Sequence, residues 1–79
     1  MKKPRKVPIR FAVCIKNKGY EASLEIGKFY RIVPDEDAEK RGYLRVVDES
    51  GQDYGYSAGR FLSMDVPKPL ERVLLKAAS

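Results

Sequence analysis

Histidine and tryptophan are missing from this chain, and cysteine occurs once, as Cys14. One thiol excludes an intrachain disulfide, which fits a reducing, cytoplasmic setting better than a disulfide-stapled secreted scaffold. With no histidine and a single thiol, the usual zinc ligand sets cannot be assembled. General acid–base chemistry near neutral pH would fall to a strongly shifted carboxylate or lysine. No apolar run reaches the roughly 20 residues of a membrane span, and no apolar core follows the basic N-terminus as it would in a signal peptide. There are no internal repeats and no low-complexity runs. Nor does the sequence show a nucleophile–base pair or a phosphate-cradling glycine loop, so it reads as non-enzymatic, with no cofactor and no metal.

What is present is a short, basic chain. Its 79 residues suit one domain, and a domain of this size buries only roughly 60–65% of the surface its unfolded chain exposes. The net charge of +5 is unevenly placed. Lys2, Lys3, Arg5, Lys6, Arg10, Lys16 and Lys18 all precede the first acid, Glu21. From residue 19 onward there are 9 basic and 11 acidic side chains, so the body is slightly acidic. A basic end of this kind can attract nucleic acid or acidic proteins. Residues 1–8, with two prolines and four cations, read as a disordered basic tail.

Residues 9–16 alternate, with Ile9, Phe11, Val13 and Ile15 large and apolar and the even positions charged or small. That period of two predicts a strand whose odd positions are buried. Cys14 falls on the other side beside Ala12 and reads as an unreactive packing residue, since nothing near it in sequence would activate a thiolate. Residues 17–20 are a turn signal, and residues 21–27 read as a long excursion with a short strand-like middle at Leu24 and Ile26. A strand follows over residues 28–33, with Tyr30 and Ile32 inward and Phe29 and Val33 on the far face. Pro34 ends it, because proline cannot donate to a ladder.

Residues 35–42 suit one or two helical turns, with Asp35 as N-cap, acids first, bases last and Gly42 just past the end. The run Asp35, Glu36, Asp37, Glu39 does not make a calcium loop. Such a loop wants glycine sixth and glutamate twelfth, where this chain has Lys40 and Val46. Residues 43–47 have strand character, and residues 48–51 are turn chemistry, with Gly51 able to take the left-handed conformation of a hairpin loop. Residues 53–56 return as a strand, in which Gly55 predicts a bulge, a bend or a close backbone approach. Residues 57–60 fit a single 3₁₀ turn, and residues 61–64 resume apolar spacing. Leu70, Val73, Leu74 and Ala77 recur at helical spacing, predicting a C-terminal helix that packs that stripe on the domain, with Leu75 off it.

These elements predict an all-β fold: a five-stranded, strongly bent small barrel over residues 9–66, a 3₁₀ turn before the last strand, and a short C-terminal α-helix over residues 67–79. The order of strands and loops resembles a Src-homology-3 domain. Residues 17–28 would be the long first loop, residues 34–42 the next, and residues 48–52 the distal hairpin. Gly55-Tyr56-Ser57-Ala58-Gly59-Arg60-Phe61-Leu62 resembles that family's Gly-Tyr-Ile-Pro-Ser-Asn-Tyr-Val run. The likeness covers residues 9 to about 64 as a fold-level pattern, and it implies binding of proline-rich peptides between aromatic side chains. The chain departs from the family in its groove. Ala58 stands for the groove proline and Phe61 for the tyrosine, the tyrosines of Ala-Leu-Tyr-Asp-Tyr are missing from residues 12–15, and Tyr43 is the only stand-in for the groove tryptophan. The run Asp-Glu-Ser-Gly-x-Asp-Tyr-x-Tyr-x-Ala-x-x-Phe (residues 48–61) also resembles a family of small stand-alone bacterial proteins. That second likeness implies a bacterial cytoplasmic protein and carries no activity with it.

Two functions follow as expectations. In the first, a protein or peptide docks on exposed tyrosines, Tyr20, Tyr43, Tyr54 and Tyr56, which join an apolar body to a polar tip. In the second, nucleic acid is held by Lys2, Lys3, Arg5, Lys6, Arg10, Lys16 and Lys18, with tyrosines stacking on unpaired bases. Either way the chain is expected to be a monomer with no membrane partner.

Overall fold

The computed structural model describes residues 9–78. The tail expected to be disordered, with Lys2, Lys3, Arg5 and Lys6, lies outside the described residues. Five strands follow in chain order: β1 (Arg10–Cys14), β2 (Phe29–Val33), β3 (Tyr43–Val47), β4 (Asp53–Ser57) and β5 (Phe61–Met64). A short helix, α1 (Glu36–Lys40), joins β2 to β3, a 3₁₀ turn (Ala58–Arg60) joins β4 to β5, and α2 (Lys68–Ala78) closes the chain. No helix among the described residues is long and apolar enough to cross a membrane.

All the strands pair antiparallel in the order β4-β3-β2-β1-β5. β4 and β5 are the two edges and no ladder joins them, so the sheet stays open where a closed barrel was expected. It curls nonetheless. Tyr56 of β4 and Phe61 of β5 lie with ring centroids 6.2 Å apart, and Phe61 also meets Tyr30 of β2 at 6.5 Å. Both contacts are edge-to-face, the arrangement the ring quadrupole favours. One core results, made by Ala12, Cys14, Leu24, Tyr30, Ile32, Leu44, Val46, Tyr56 and Phe61.

β2 buries the face predicted, with Tyr30 and Ile32 inward. β1 does not. Its even residues Ala12 and Cys14 are fully buried in the core, while Ile9 and Ile15 are exposed. The reason is volume. Ala12 sits opposite Tyr30 and Cys14 opposite Phe61, so small side chains leave room for the rings that fill a narrow interior. Phe11 is buried too, but on the outer face of the sheet, where it lines a cleft with Leu74 and Leu75 of α2. That docking turns the helix from its predicted stripe. Glu71, Leu74 and Leu75 are half-buried, whereas Leu70 and Val73 of the predicted stripe are exposed. Glu71 and Lys68, one turn apart, form an ion pair at 3.8 Å.

The connections follow their local chemistry. Asp35 caps α1, its Oδ1 accepting from the Ala38 amide at 3.0 Å. Gly42 lies just past the helix end with φ +85°. The Ala38 amide and then the Arg45 guanidinium hold the Asp35 carboxyl below its usual range, and Arg45 reaches both Asp35 (3.0 Å) and Asp53 (3.2 Å). Gly51 turns the hairpin with φ +84°. The ladder runs unbroken through Gly55, paired with Arg45, and open space lies where a Cβ would project. The expected bulge or close approach is not formed. Residues 15–28 hold turns and no strand, so the strand-like middle expected at Leu24 and Ile26 is not formed either.

Candidate functional site

The segment 15–28 is pinned at both ends and in its middle. The Cys14 and Gly27 amides donate to the Lys28 and Cys14 carbonyls, at 3.0 and 2.8 Å. Leu24 drops into the core with no exposed surface, and its carbonyl accepts from Asn17 Nδ2 at 2.9 Å. The Glu25 amide donates to the Tyr30 hydroxyl at 2.8 Å, and the Glu49 amide donates to the Ser23 carbonyl at 3.0 Å. The segment is thereby fastened to the β3–β4 hairpin.

The acidic hairpin residues are occupied in this fastening. Asp48 is buried. Its Oδ1 accepts from the Ser50 amide and hydroxyl, at 2.9 and 2.6 Å, and its Oδ2 from the Tyr56 hydroxyl at 2.7 Å. Burial opposes ionisation of Asp48, but these hydrogen bonds outweigh it and the carboxyl sits below its usual range. Burial and then the bond to Asp48 push the Tyr56 hydroxyl up. Glu49 Oε2 accepts from Lys28 Nζ and from the Tyr30 hydroxyl, both at 2.6 Å. Lys28 first and Tyr30 second hold the Glu49 carboxyl low, while burial and then Glu49 raise the Tyr30 hydroxyl. Within the run Asp-Glu-Ser-Gly-x-Asp-Tyr-x-Tyr, Asp48, Glu49, Ser50 and Tyr56 are thus occupied in the hairpin.

Tyr56 therefore leaves the set of expected contact residues, its ring and hydroxyl both enclosed. Tyr20, Tyr43 and Tyr54 are exposed, but they form no single patch. Tyr43 pairs with Ser57 at one end of the β3–β4 ladder, on the face opposite Leu44, while Tyr54 pairs with Val46 towards the other end. Tyr20 lies on the first long loop instead. It packs edge-to-face on Tyr56 at 5.1 Å, and the Arg60 guanidinium lies 4.6 Å from its ring centroid.

Arg60 is the residue that sequence inspection missed. The 3₁₀ turn carries it to the base of the first long loop, where the Ile15 and Lys16 amides donate to its carbonyl at 2.7 and 3.3 Å. Its Nη1 in turn donates to the Lys16 and Lys18 carbonyls at 3.5 and 3.1 Å. Arg60, Lys16 and Lys18 then border a shallow depression of about 470 Å³, with Ile15, Ile26 and Gly59 also in its wall. None of its lining residues is acidic. Of the cations proposed for nucleic acid, the fold brings Lys16 and Lys18 together here. Arg10 stands at the far end of β1 and faces Glu39 at 3.6 Å. No local pattern would have revealed Arg60, since its partners are 42 and 44 residues away in sequence. Ile15 and Ile26 did carry a signal, as apolar residues flanking a polar loop, but both read as strand positions.

No protein-family model, curated protein or solved structure matches this chain.

Proposed function

We propose that the chain is a non-enzymatic binding module for a protein or peptide, built on a small, curled Src-homology-3-like sheet and acting as a monomer. The curl of the sheet, the strand and loop order and the 3₁₀ turn before β5 support the likeness. Occupation of Asp48 and Glu49 within the hairpin supports a role other than catalysis, because carboxylates held low by donors are poorly suited to proton abstraction near neutral pH. The observation that carries the reading is the open depression at the base of the first loop, with Tyr20 stacked on Arg60 beside it. Tyrosine and arginine are over-represented among residues that dominate binding energy.

Selecting a random-peptide display library on the full chain, then following amide shifts of labelled protein with the selected peptides, tests this. The expected shifts fall on residues 15–18, 26 and 57–60. Tyr20→Ala is expected to weaken those peptides about tenfold or more and, since its edge-to-face contact with Tyr56 goes with it, to lower stability by about 1 kcal/mol. Selected peptides that leave those amides unmoved would remove the reading. Nucleic-acid binding is the second reading, favoured by the same uncompensated cations together with the basic N-terminal end. It predicts an affinity that falls steeply with salt.

A further inference from the structure

We infer that the occupant of this depression is an acidic protein segment bearing one bulky apolar side chain, its carboxylates meeting Arg60, Lys16 and Lys18 while the apolar group rests between Ile15 and Ile26. The inference deepens the binding-module reading and rests on it.

Charge carries the first part. Arg10, Lys28, Arg45 and Lys68 are each within reach of a carboxylate. Among the described residues, Arg60, Lys16 and Lys18 are in no ion pair; Arg31, Lys40, Arg41 and Arg72 are in none either, and what sets the first three apart is that they share one depression with no acid in its wall. The nearby Glu21 directs its Oε2 to the Gly19 amide at 3.3 Å. Cations that border one depression repel one another, and an anion from outside relieves that cost.

Geometry carries the second. The guanidinium is already fixed by two carbonyls through Nη1 and by the Tyr20 ring. Among the described residues Nε and Nη2 make no hydrogen bond, and that edge is the one a carboxylate meets with two parallel bonds. Most of the ordering cost of the arginine is therefore met before the ligand arrives.

The apolar walls separate an acidic peptide from a nucleic acid. Ile15 is 39% and Ile26 59% exposed, and a phosphate backbone makes no use of them. Base stacking would need a free aromatic face, yet Arg60 already covers one face of Tyr20, the exposed ring beside the depression.

The test uses the peptides selected above and a short oligothymidylate, titrated separately into the full chain. Selected peptides should carry Asp or Glu on both sides of a Leu, Ile, Met or Phe and should shift the amides of residues 15–18, 26 and 57–60. The double variant Lys16→Glu, Lys18→Glu changes two exposed side chains that make no internal bond, so the fold should stand. It should weaken those peptides by about tenfold or more, and Ile26→Ser should weaken them while leaving the charge intact. Neutral or basic peptides shifting the same amides would overturn the inference and leave the binding module standing. Selected peptides shifting none of them would remove both. Tighter binding of the oligothymidylate than of any acidic peptide at these amides would assign the site to nucleic acid and overturn the inference.

Discussion

Replacing Leu24 by alanine should lower the unfolding free energy by about 3–5 kcal/mol, the range for truncating a fully enclosed leucine whose surroundings cannot collapse. Leu24 has no exposed surface and is the only residue of the 15–28 segment in the core. A chain of 79 residues has on the order of 4–12 kcal/mol in total, so the substitution removes a large share of the margin. Urea titration followed by far-ultraviolet circular dichroism reads the effect directly. A loss below about 1 kcal/mol would show that the loop is not packed on the sheet in solution. The companion Ile26→Ala, at an exposed position, should stay within about 0.5 kcal/mol.

Asp48→Ala should cost about 2–4 kcal/mol at neutral pH. The carboxylate accepts from two side chains and one amide. Without it the enclosed Tyr56 hydroxyl keeps its desolvation cost and loses its partner. The pH dependence has a defined sign. The Asp48 and Glu49 carboxyls are both lowered in the folded chain. Their contribution is therefore complete above the ordinary unfolded value near pH ~4 and disappears as pH falls through the folded values. The stability gap between the wild type and Asp48→Ala should narrow on acidification over that window. The tyrosines act at the other extreme. Raised hydroxyls at Tyr30 and Tyr56 contribute fully below about pH 10, and that contribution is lost at higher pH. Equilibrium unfolding of both proteins across pH checks this, and a gap that stays constant in acid would show that Asp48 does not act through its charge.

Much of the sheet was legible because its signals are local. Gly51, the Asp35 cap and the stop at Pro34 each fix a boundary through backbone chemistry, and all stand where expected. The inward face of β2 followed from its alternation. β1 defeated the same reasoning because both of its faces are covered, one by the core and one by α2. Alternation reports which residues are large, and here the larger ones could not all enter an interior already holding Tyr30, Tyr56 and Phe61. The stripe of α2 shifted for a related reason, since a short helix settles on whatever the sheet offers, in this case Phe11. For the candidate site, Tyr20, Lys16 and Lys18 were visible as residue types. Their convergence on Arg60 was not, because it depends on β1 pairing with β5.

That convergence gives ligand binding a thermodynamic signature. Lys16 and Lys18 share the depression with Arg60 only while strands from the two ends of the fold lie side by side. A chain that has lost this pairing keeps every one of these residues and has nowhere to hold a guest. Occupancy is accordingly linked to the whole folding equilibrium, and each tenfold excess of ligand over its dissociation constant adds about 1.4 kcal/mol to the native state. In a domain with so slender a margin, saturation by a partner would set how long the molecule survives proteases, and partner and scaffold would rise and fall in abundance together.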